Sequence, residues 1–369
     1  MQILTVDVGT GTQDVLLFDS ERELENCFKL VMPSPTVVAA DTIRRATATG
    51  QRLVLQGVTM GGGPCHWATM DHVRAGYEAY ATPDAARTFD DDLDMVAEMG
   101  IHVISEDEAI TLADAGATSV FMRDLALGQL LRTLVSFGAN VRLDALAVAV
   151  FDHGAAPPGL SDRVFRFNYL RDQLSSGKGL AGFAFTQNDV PDFMTRLHAV
   201  KKTAPSDLPL LLMDTAPAAI IGALEDPRVR SAHDPIVANV GNFHCLAFHL
   251  ADGQVAGLFE HHTGELSPTR LGAYVQQLAN GTITNEAVFA DKGHGALVFR
   301  SDAPMPDLLA VTGPRRAVLV DSGLQPYLAV PHGDMMLAGN LGLLRAFSAQ
   351  DESVREAVDR RLGAHARTF

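Results

Sequence analysis

The first twenty residues constrain this chain most. Val6-Asp7-Val8-Gly9-Thr10-Gly11-Thr12-Gln13-Asp14 sets two glycines behind an apolar run, Ile3–Val8. In a dinucleotide-binding unit such a turn opens a helix whose N-terminus faces the pyrophosphate. Here it opens Val15-Leu16-Leu17-Phe18, a second β-type run closed by Asp19-Ser20. The unit is therefore strand, turn, strand. Glycines at its tip let the backbone approach a ligand closely, and successive N–H groups in such a turn form an anion-binding concavity. Thr10 and Thr12 add hydroxyl donors, and Asp7 stands where a carboxylate can hold Mg²⁺ or its waters. A plain hairpin needs the glycines but neither the carboxylate nor the threonines, so the reading is a phosphate-holding turn formed by Gly9, Thr10, Gly11 and Thr12.

A looser copy follows in Ala238-Asn239-Val240-Gly241-Asn242-Phe243-His244, leading into Cys245–Leu250 and the Asp252-Gly253 turn. Asn239 falls where Asp7 falls, and Gly241 where Gly9 falls. Two such hairpins would grip a phosphate chain from both sides, although the second also reads as an ordinary antiparallel meander.

At 369 residues the chain exceeds what one hydrophobic core usually supports, so two lobes are expected. A net charge of −15 argues against a general nucleic-acid binder, which needs a dense basic surface. No apolar run is long enough to span a membrane and no leader pattern stands at the N-terminus. With three widely separated cysteines, Cys27, Cys65 and Cys245, these features point to the cytoplasm. Any phosphate site must then be local, built from backbone N–H groups and a metal ion.

Residues 1–225 alternate between β-rich runs and helical patterns. Strands are expected at Ile3–Val8, Asp14–Asp19, Asn26–Met32, Leu53–Met60, Leu146–Asp152 and Pro205–Met213, and helices at Pro35–Thr49, Pro64–Gly76, Ala85–Gly100, Asp124–Gly138 and Thr215–Leu224. The charged, proline-containing Glu225–Pro235 marks a lobe boundary. A second lobe over 226–337 carries the meander Ile236–Val240, His244–Leu250 and Gln254–Glu260, and residues 338–369 supply closing helices.

With these motifs in place the chain resembles the superfamily of sugar kinases, actin and the heat-shock ATPases. Asp7–Asp14 resembles their first phosphate motif and Asn239–His244 their second. Asp214–Gly222 looks like the first connecting helix, Val311-Thr312-Gly313-Pro314 the turn that meets the adenosine, and Ala338-Gly339-Asn340-Leu341-Gly342 the second connecting helix. The resemblance implies a two-lobed α/β fold of the ribonuclease H-like class with ATP or another nucleotide and Mg²⁺ in the cleft. Gly313, Gly339 and Asn340 would belong to the nucleotide site. The chain departs from that pattern at Asn239, where the second motif usually carries a carboxylate. Nucleotide binding survives that loss better than fast hydrolysis does.

More narrowly, the blocks Thr59–Pro64, Asp152-His153-Gly154, Phe165-Arg166-Phe167, Gly293-His294-Gly295 and Gly339–Leu343 resemble a family labelled as pyruvate formate-lyase activating enzymes. That label implies a glycyl-radical activase with an iron–sulfur cluster, which needs thiolates gathered in one loop. Cys27, Cys65 and Cys245 are too dispersed for that.

Four other features bear on chemistry. Asp152, behind an apolar strand, would face the crevice at the strand's C-terminal edge as a general base, or simply end the strand. Gly61-Gly62-Gly63-Pro64 opens a helix and either presents N–H groups to an anion or makes a tight turn. Arg163 and Arg166 would clamp a carboxylate or phosphate if they are not surface residues, and Asp90-Asp91-Asp92 reads as a solvated helix start. The histidines do not form a local metal motif. His244 and His249, and the adjacent His261 and His262, point to opposite faces of their strands, so a site that also used His294 would require distant loops to converge.

The leading expectation is a Mg-ATP-binding protein of the actin-like kinase class, either a small-molecule kinase or an ATPase that drives maturation of a partner enzyme, with a small-molecule or protein acceptor, Asp7 organising Mg²⁺ and Asp152 as base. A nucleotide-sensing scaffold and a histidine-dependent metallohydrolase are the rivals. The cysteine spacing gives a direct test: anaerobically purified protein is expected to lack iron and acid-labile sulfide, and stoichiometric amounts of both, lost on replacing the three cysteines, would refute this.

Overall fold

The computed structural model describes residues 1–364. Its strands, in chain order, are β1 (Gln2–Val8), β2 (Thr12–Asp19), β3 (Phe28–Pro33), β4 (Leu53–Gly57), β5 (Ala79–Ala81), β6 (Ile101–Val103), β7 (Thr118–Met122), β8 (Ala145–Val150), β9 (Ala184–Thr186), β10 (Leu210–Asp214), β11 (Ile236–Val240), β12 (His244–Ala251), β13 (Gln254–His262), β14 (Gly295–Val298), β15 (Leu309–Thr312) and β16 (Tyr327–Leu328).

They form three sheets. The first has the order β3-β2-β1-β8-β10-β9 and the second β14-β13-β12-β11-β15-β16. In each, an antiparallel three-strand meander (β1–β3, β11–β13) continues sideways into two parallel strands (β8 and β10, β15 and β16). This repeated order is that of the two-lobed, actin-like ribonuclease H fold. The reason is visible in the residues: β1, β8 and β10 are buried on both faces and rich in Val, Leu and Ala, as strands covered on both sides must be.

After the fifth strand of each repeat comes a connecting helix, Thr215–Ala223 in the first and Ala338–Gln350 in the second. Both are buried nearly all round, which marks helices sandwiched between layers rather than lying on a surface. They cross at two glycines. A methyl on Gly222 would overlap the Ala338 carbonyl, and one on Gly342 would overlap the Ala218 carbonyl, the same spacing on each helix.

Between β3 and β8 lies a third, wholly parallel sheet, β6-β5-β4-β7, with its own core around Ile43, Leu53, Leu55, Cys65 and Met122. The sequence reading missed this sheet, because β5 and β6 have three residues each and no periodicity can declare itself over that length. It also predicted one helix over Ala85–Gly100, whereas Pro83–Ala86 and Leu93–Glu98 are separate. The break follows from the aspartates: Asp90 accepts from the Asp92 N–H and Asp92 from the Asp94 N–H, local bonds that compete with helix. The Leu53–Met60 strand stops at Gly57, whose φ of 118° takes the chain close to the Met122 carbonyl. Among the described residues no helix is long and apolar enough to cross a membrane.

The crossing gives a stability prediction. Gly222→Ala or Gly342→Ala is expected to cost at least about 2 kcal/mol in denaturant unfolding, because the neighbouring backbone must move. Gly264→Ala, where a methyl meets open space, should be close to neutral.

Candidate functional site

The two hairpin turns share one geometry. Gly9 N–H donates to the Thr12 carbonyl at 2.9 Å, and Gly241 N–H donates to the His244 carbonyl at 2.9 Å. The tips meet: Asn242 lies over Gly11 so closely that a side chain on Gly11 would collide with its amide. Ser34 holds the first turn from behind, its Oγ donating to the Thr10 carbonyl and its N–H to the Gly11 carbonyl. Among the described residues the N–H groups of Thr10, Gly11, Asn242 and Phe243 have no protein acceptor.

Asp7 and Asp14 pair directly across β1 and β2. Thr215 donates to Asp7 Oδ1 at 2.5 Å, and Gly339 leaves just enough room for Oδ2. Asp7 thus sits at the first turns of both connecting helices, whose N-terminal dipoles favour its charge. Burial raises its pKa to about 6, and burial together with Asp7 raises that of Asp14 to about 8. Asp14 Oδ1 is buried without a partner.

Other expected nucleotide residues are placed differently. Asn340 is fully buried, its amide nitrogen donating to the Thr5 and Asp14 carbonyls, so it ties the second helix to the first hairpin, while its Oδ1 is left without a partner. Gly339 makes room for Asp7, and Gly313 lies against Asn239 Oδ1 and the Val240 carbonyl. Close approach within the protein is enough to require both glycines here.

Beside the first turn opens a cleft of about 760 Å³. Gly9 and Thr10 form part of its wall, the parallel sheet contributes Gly61–Gly63 and Arg87–Asp92 from its C-terminal edge, and the second lobe contributes Phe243 and His244. Open parallel sheets bind ligands at that edge. Asp90, Asp91, Asp92, Asp152 and Asp162 outnumber the lining cations Arg87 and Arg196, the latter paired with Asp124 at 2.6 Å, and make the lining acidic on balance. The Asp90–Asp92 run is thus cleft wall as well as helix start. Asp152 accepts from the Gly154 N–H on one oxygen and the Leu197 N–H on the other, and burial raises its pKa to about 6.

Arg166 is not a surface residue. It is fully buried, donates to Asp214 at 2.6 Å and to both oxygens of Glu260 at 2.8 Å, and stacks on Phe151. It clamps protein carboxylates, one from each main sheet.

The distant histidines do converge. His153 Nε2 and His294 Nε2 are 3.2 Å apart, and one ring nitrogen from each of His153, His244 and His294 lies within 4.8 Å of the others. His262 packs on His294, and Phe151 stacks on His244. Burial, reinforced by neighbouring imidazoles and Arg166, holds all three well below the ordinary histidine pKa, so they are neutral. His249 and His261 point away, as strand alternation requires. The available signal was the pair of short blocks His153-Gly154 and Gly293-His294-Gly295, each beside a strand.

The three cysteines are buried in three separate cores, Cys27 with the first sheet, Cys65 with the inserted sheet and Cys245 with the second. No two thiols can share an iron–sulfur cluster within the chain.

The carboxylate pair yields a pH prediction for metal-free protein. A carboxyl whose pKa rises on folding costs nothing while protonated and destabilises as pH climbs from 3.8 toward its folded value of about 6. Asp7→Asn should therefore stabilise the protein above pH 7 by on the order of 3 kcal/mol, seen as a higher melting temperature, and have little effect near pH 4. Equal effects at both pH values would contradict the assignment.

Comparison with known proteins adds the following. No curated protein sequence matches the chain. The inorganic polyphosphate/ATP-glucomannokinase of Arthrobacter sp. strain KM is 11% identical, covering 95% of this chain and 99% of its own at a TM-score of 0.38. A ROK family glucokinase from Streptomyces griseus, solved with glucose and AMPPNP, is 13% identical, covering 94% and 98% at a TM-score of 0.31. Scores at this level add nothing to the strand orders, which establish the fold by themselves. Over residues 60–318, spanning Arg166, Glu260 and the three converging histidines, the chain matches the profile described as "putative pyruvate format-lyase activating enzyme (DUF1786)", and it belongs to that family.

Proposed function

We propose that this protein binds Mg-ATP, or another nucleotide, between its two hairpins and works as a phosphotransferase or ATPase on an acceptor held in the acidic cleft. One observation carries the reading: two equivalent glycine turns, one per repeat, meet at their tips with four N–H groups lacking protein acceptors. Backbone donors in that arrangement suit phosphate oxygens. The carboxylates suit the accompanying cation, since Asp14 Oδ1 is a buried oxygen without a partner beside Asp7. Bound there, Mg²⁺ would neutralise phosphate charge, with Asp7 as the principal ligand and Asp14 next to it.

Asp152 follows β8, the strand beside β1, by two residues and so reaches the cleft next to the first turn. With a pKa of about 6 it is suited to take a proton from the acceptor. The acidic lining disfavours a polyanionic acceptor and favours an uncharged polar or cationic one. The iron–sulfur chemistry implied by the family's description has no thiolate set here, and no step is assigned to it. Asn239 favours one alternative, a nucleotide sensor without turnover, because the second hairpin lacks the carboxylate of the first.

ATP with Mg²⁺ is expected to raise the melting temperature of the wild type, since a ligand confined to the folded state stabilises it. Gly11→Val should abolish the shift, and Asp7→Asn should weaken its Mg²⁺ dependence more than nucleotide binding. Indifference of the wild type to every nucleotide at millimolar concentration would overturn the proposal. Binding without turnover would select the sensor.

A further inference from the structure

We infer that His153, His244 and His294 form a binding site for one borderline divalent transition-metal ion, of the Zn²⁺ type, at the inner wall of the cleft. This goes beyond the nucleotide reading and does not depend on it: the residues, the kind of ion and the location all differ from those of the Asp7 carboxylate.

The ligand geometry comes first. An ion bonded tetrahedrally to two imidazoles at about 2.0–2.1 Å holds their nitrogens roughly 3.3 Å apart. His153 Nε2 and His294 Nε2 stand at 3.2 Å, and the His244 nitrogen completes a triangle within 4.8 Å. The three side chains come from three separate parts of the chain: the segment after β8, the first residue of β12, and the residue before β14.

Orientation comes second. The Nδ1 of His294 lies 3.4 Å from Glu260 Oε1 without a hydrogen bond between them, and Glu260 is held by Arg166 on both oxygens. A carboxylate placed beside that nitrogen is positioned to accept its N–H once an ion takes the other ring nitrogen. Phe151, stacked at 3.8 Å between centroids, sets the plane of the His244 ring.

Unmet hydrogen bonding comes third. His244 Nε2 and, next to the cluster, His262 Nδ1 are buried and make no hydrogen bond among the described residues. Polar atoms left so in a protein interior weaken the fold unless something binds them. His153 and His244 are part of the cleft wall, so an ion on this triad is reached from the cleft and keeps positions for an oxygen ligand. The chemistry is imidazole-only, which selects Zn²⁺, Co²⁺ or Ni²⁺ over Mg²⁺ and Ca²⁺.

The test uses the full chain stripped with EDTA, without nucleotide. Co²⁺ should bind once per chain with low-micromolar or tighter affinity and give the visible absorption of a low-coordinate imidazole site. Zn²⁺ should displace it and Mg²⁺ should not. His153→Gln and His244→Gln, each checked for an unchanged melting profile, should weaken binding by at least about a hundredfold. His233→Ala, in a separate acidic group with Asp234 and Asp252 at the surface, should leave it unchanged. Absence of the cobalt spectrum in the wild type, a need for millimolar ion, or full affinity in the folded glutamine variants would each overturn the assignment, and the wild-type spectrum decides even if a variant fails to fold.

Discussion

Everything near the cleft hangs on one buried cation. The guanidinium of Arg166 reaches Asp214 at the end of β10, the backbone carbonyl of Asp152 after β8, and Glu260 on β13. These belong to both main sheets, so a single side chain fixes their relative position where the cleft begins. A charge removed from water needs partners on every side. Two carboxylates, a carbonyl and the face of Phe151 supply them. The same bonds then orient what they touch: Glu260 lies beside His294, and Asp214 caps the connecting helix by accepting from the Ala216 N–H.

The inserted parallel sheet changes what the cleft can recognise. Both repeats have the same meander and the same crossover, yet the first is roughly twice as long because it houses the extra sheet and the segment around Asp152–Asp162. Nearly all the cleft lining comes from that longer repeat. The second lobe gives only Phe243 and His244. On the proposed reading, selectivity for an acceptor would be a property of the first repeat, while the two hairpin turns would contribute equally to holding a nucleotide.

Much of this was legible from residue order, and the limits are instructive. The first hairpin could be read because a glycine pair between two apolar runs leaves few alternatives, and the connecting helices because Asp214–Gly222 and Ala338–Gly342 resemble those of the actin-like superfamily. The inserted sheet was not legible, since three-residue strands between helices carry no alternation. Arg166 looked like a surface residue because its two partners lie 48 and 94 positions away, beyond any local pattern. The histidines failed for a related reason. Alternation along a strand correctly separated His261 from His262 and His244 from His249, but it says nothing about which faces of different strands come together. The ligand role of Asn340 came from the family resemblance alone, and residue order could not show that its amide nitrogen reaches backbone carbonyls of β1 and β2.

The glycine crossing of the two connecting helices has a mechanical consequence. Each helix lodges a carbonyl where the other lacks a side chain, so sliding by one residue would drive Ile221 or Leu341 into a space that admits only hydrogen. Translation along the helix axes is blocked at this point, and the Arg166 clamp between Asp214 and Glu260 opposes rotation about it. The lobes are therefore pinned twice, once through backbone and once through charge, and Asp7 lies beside the first pin.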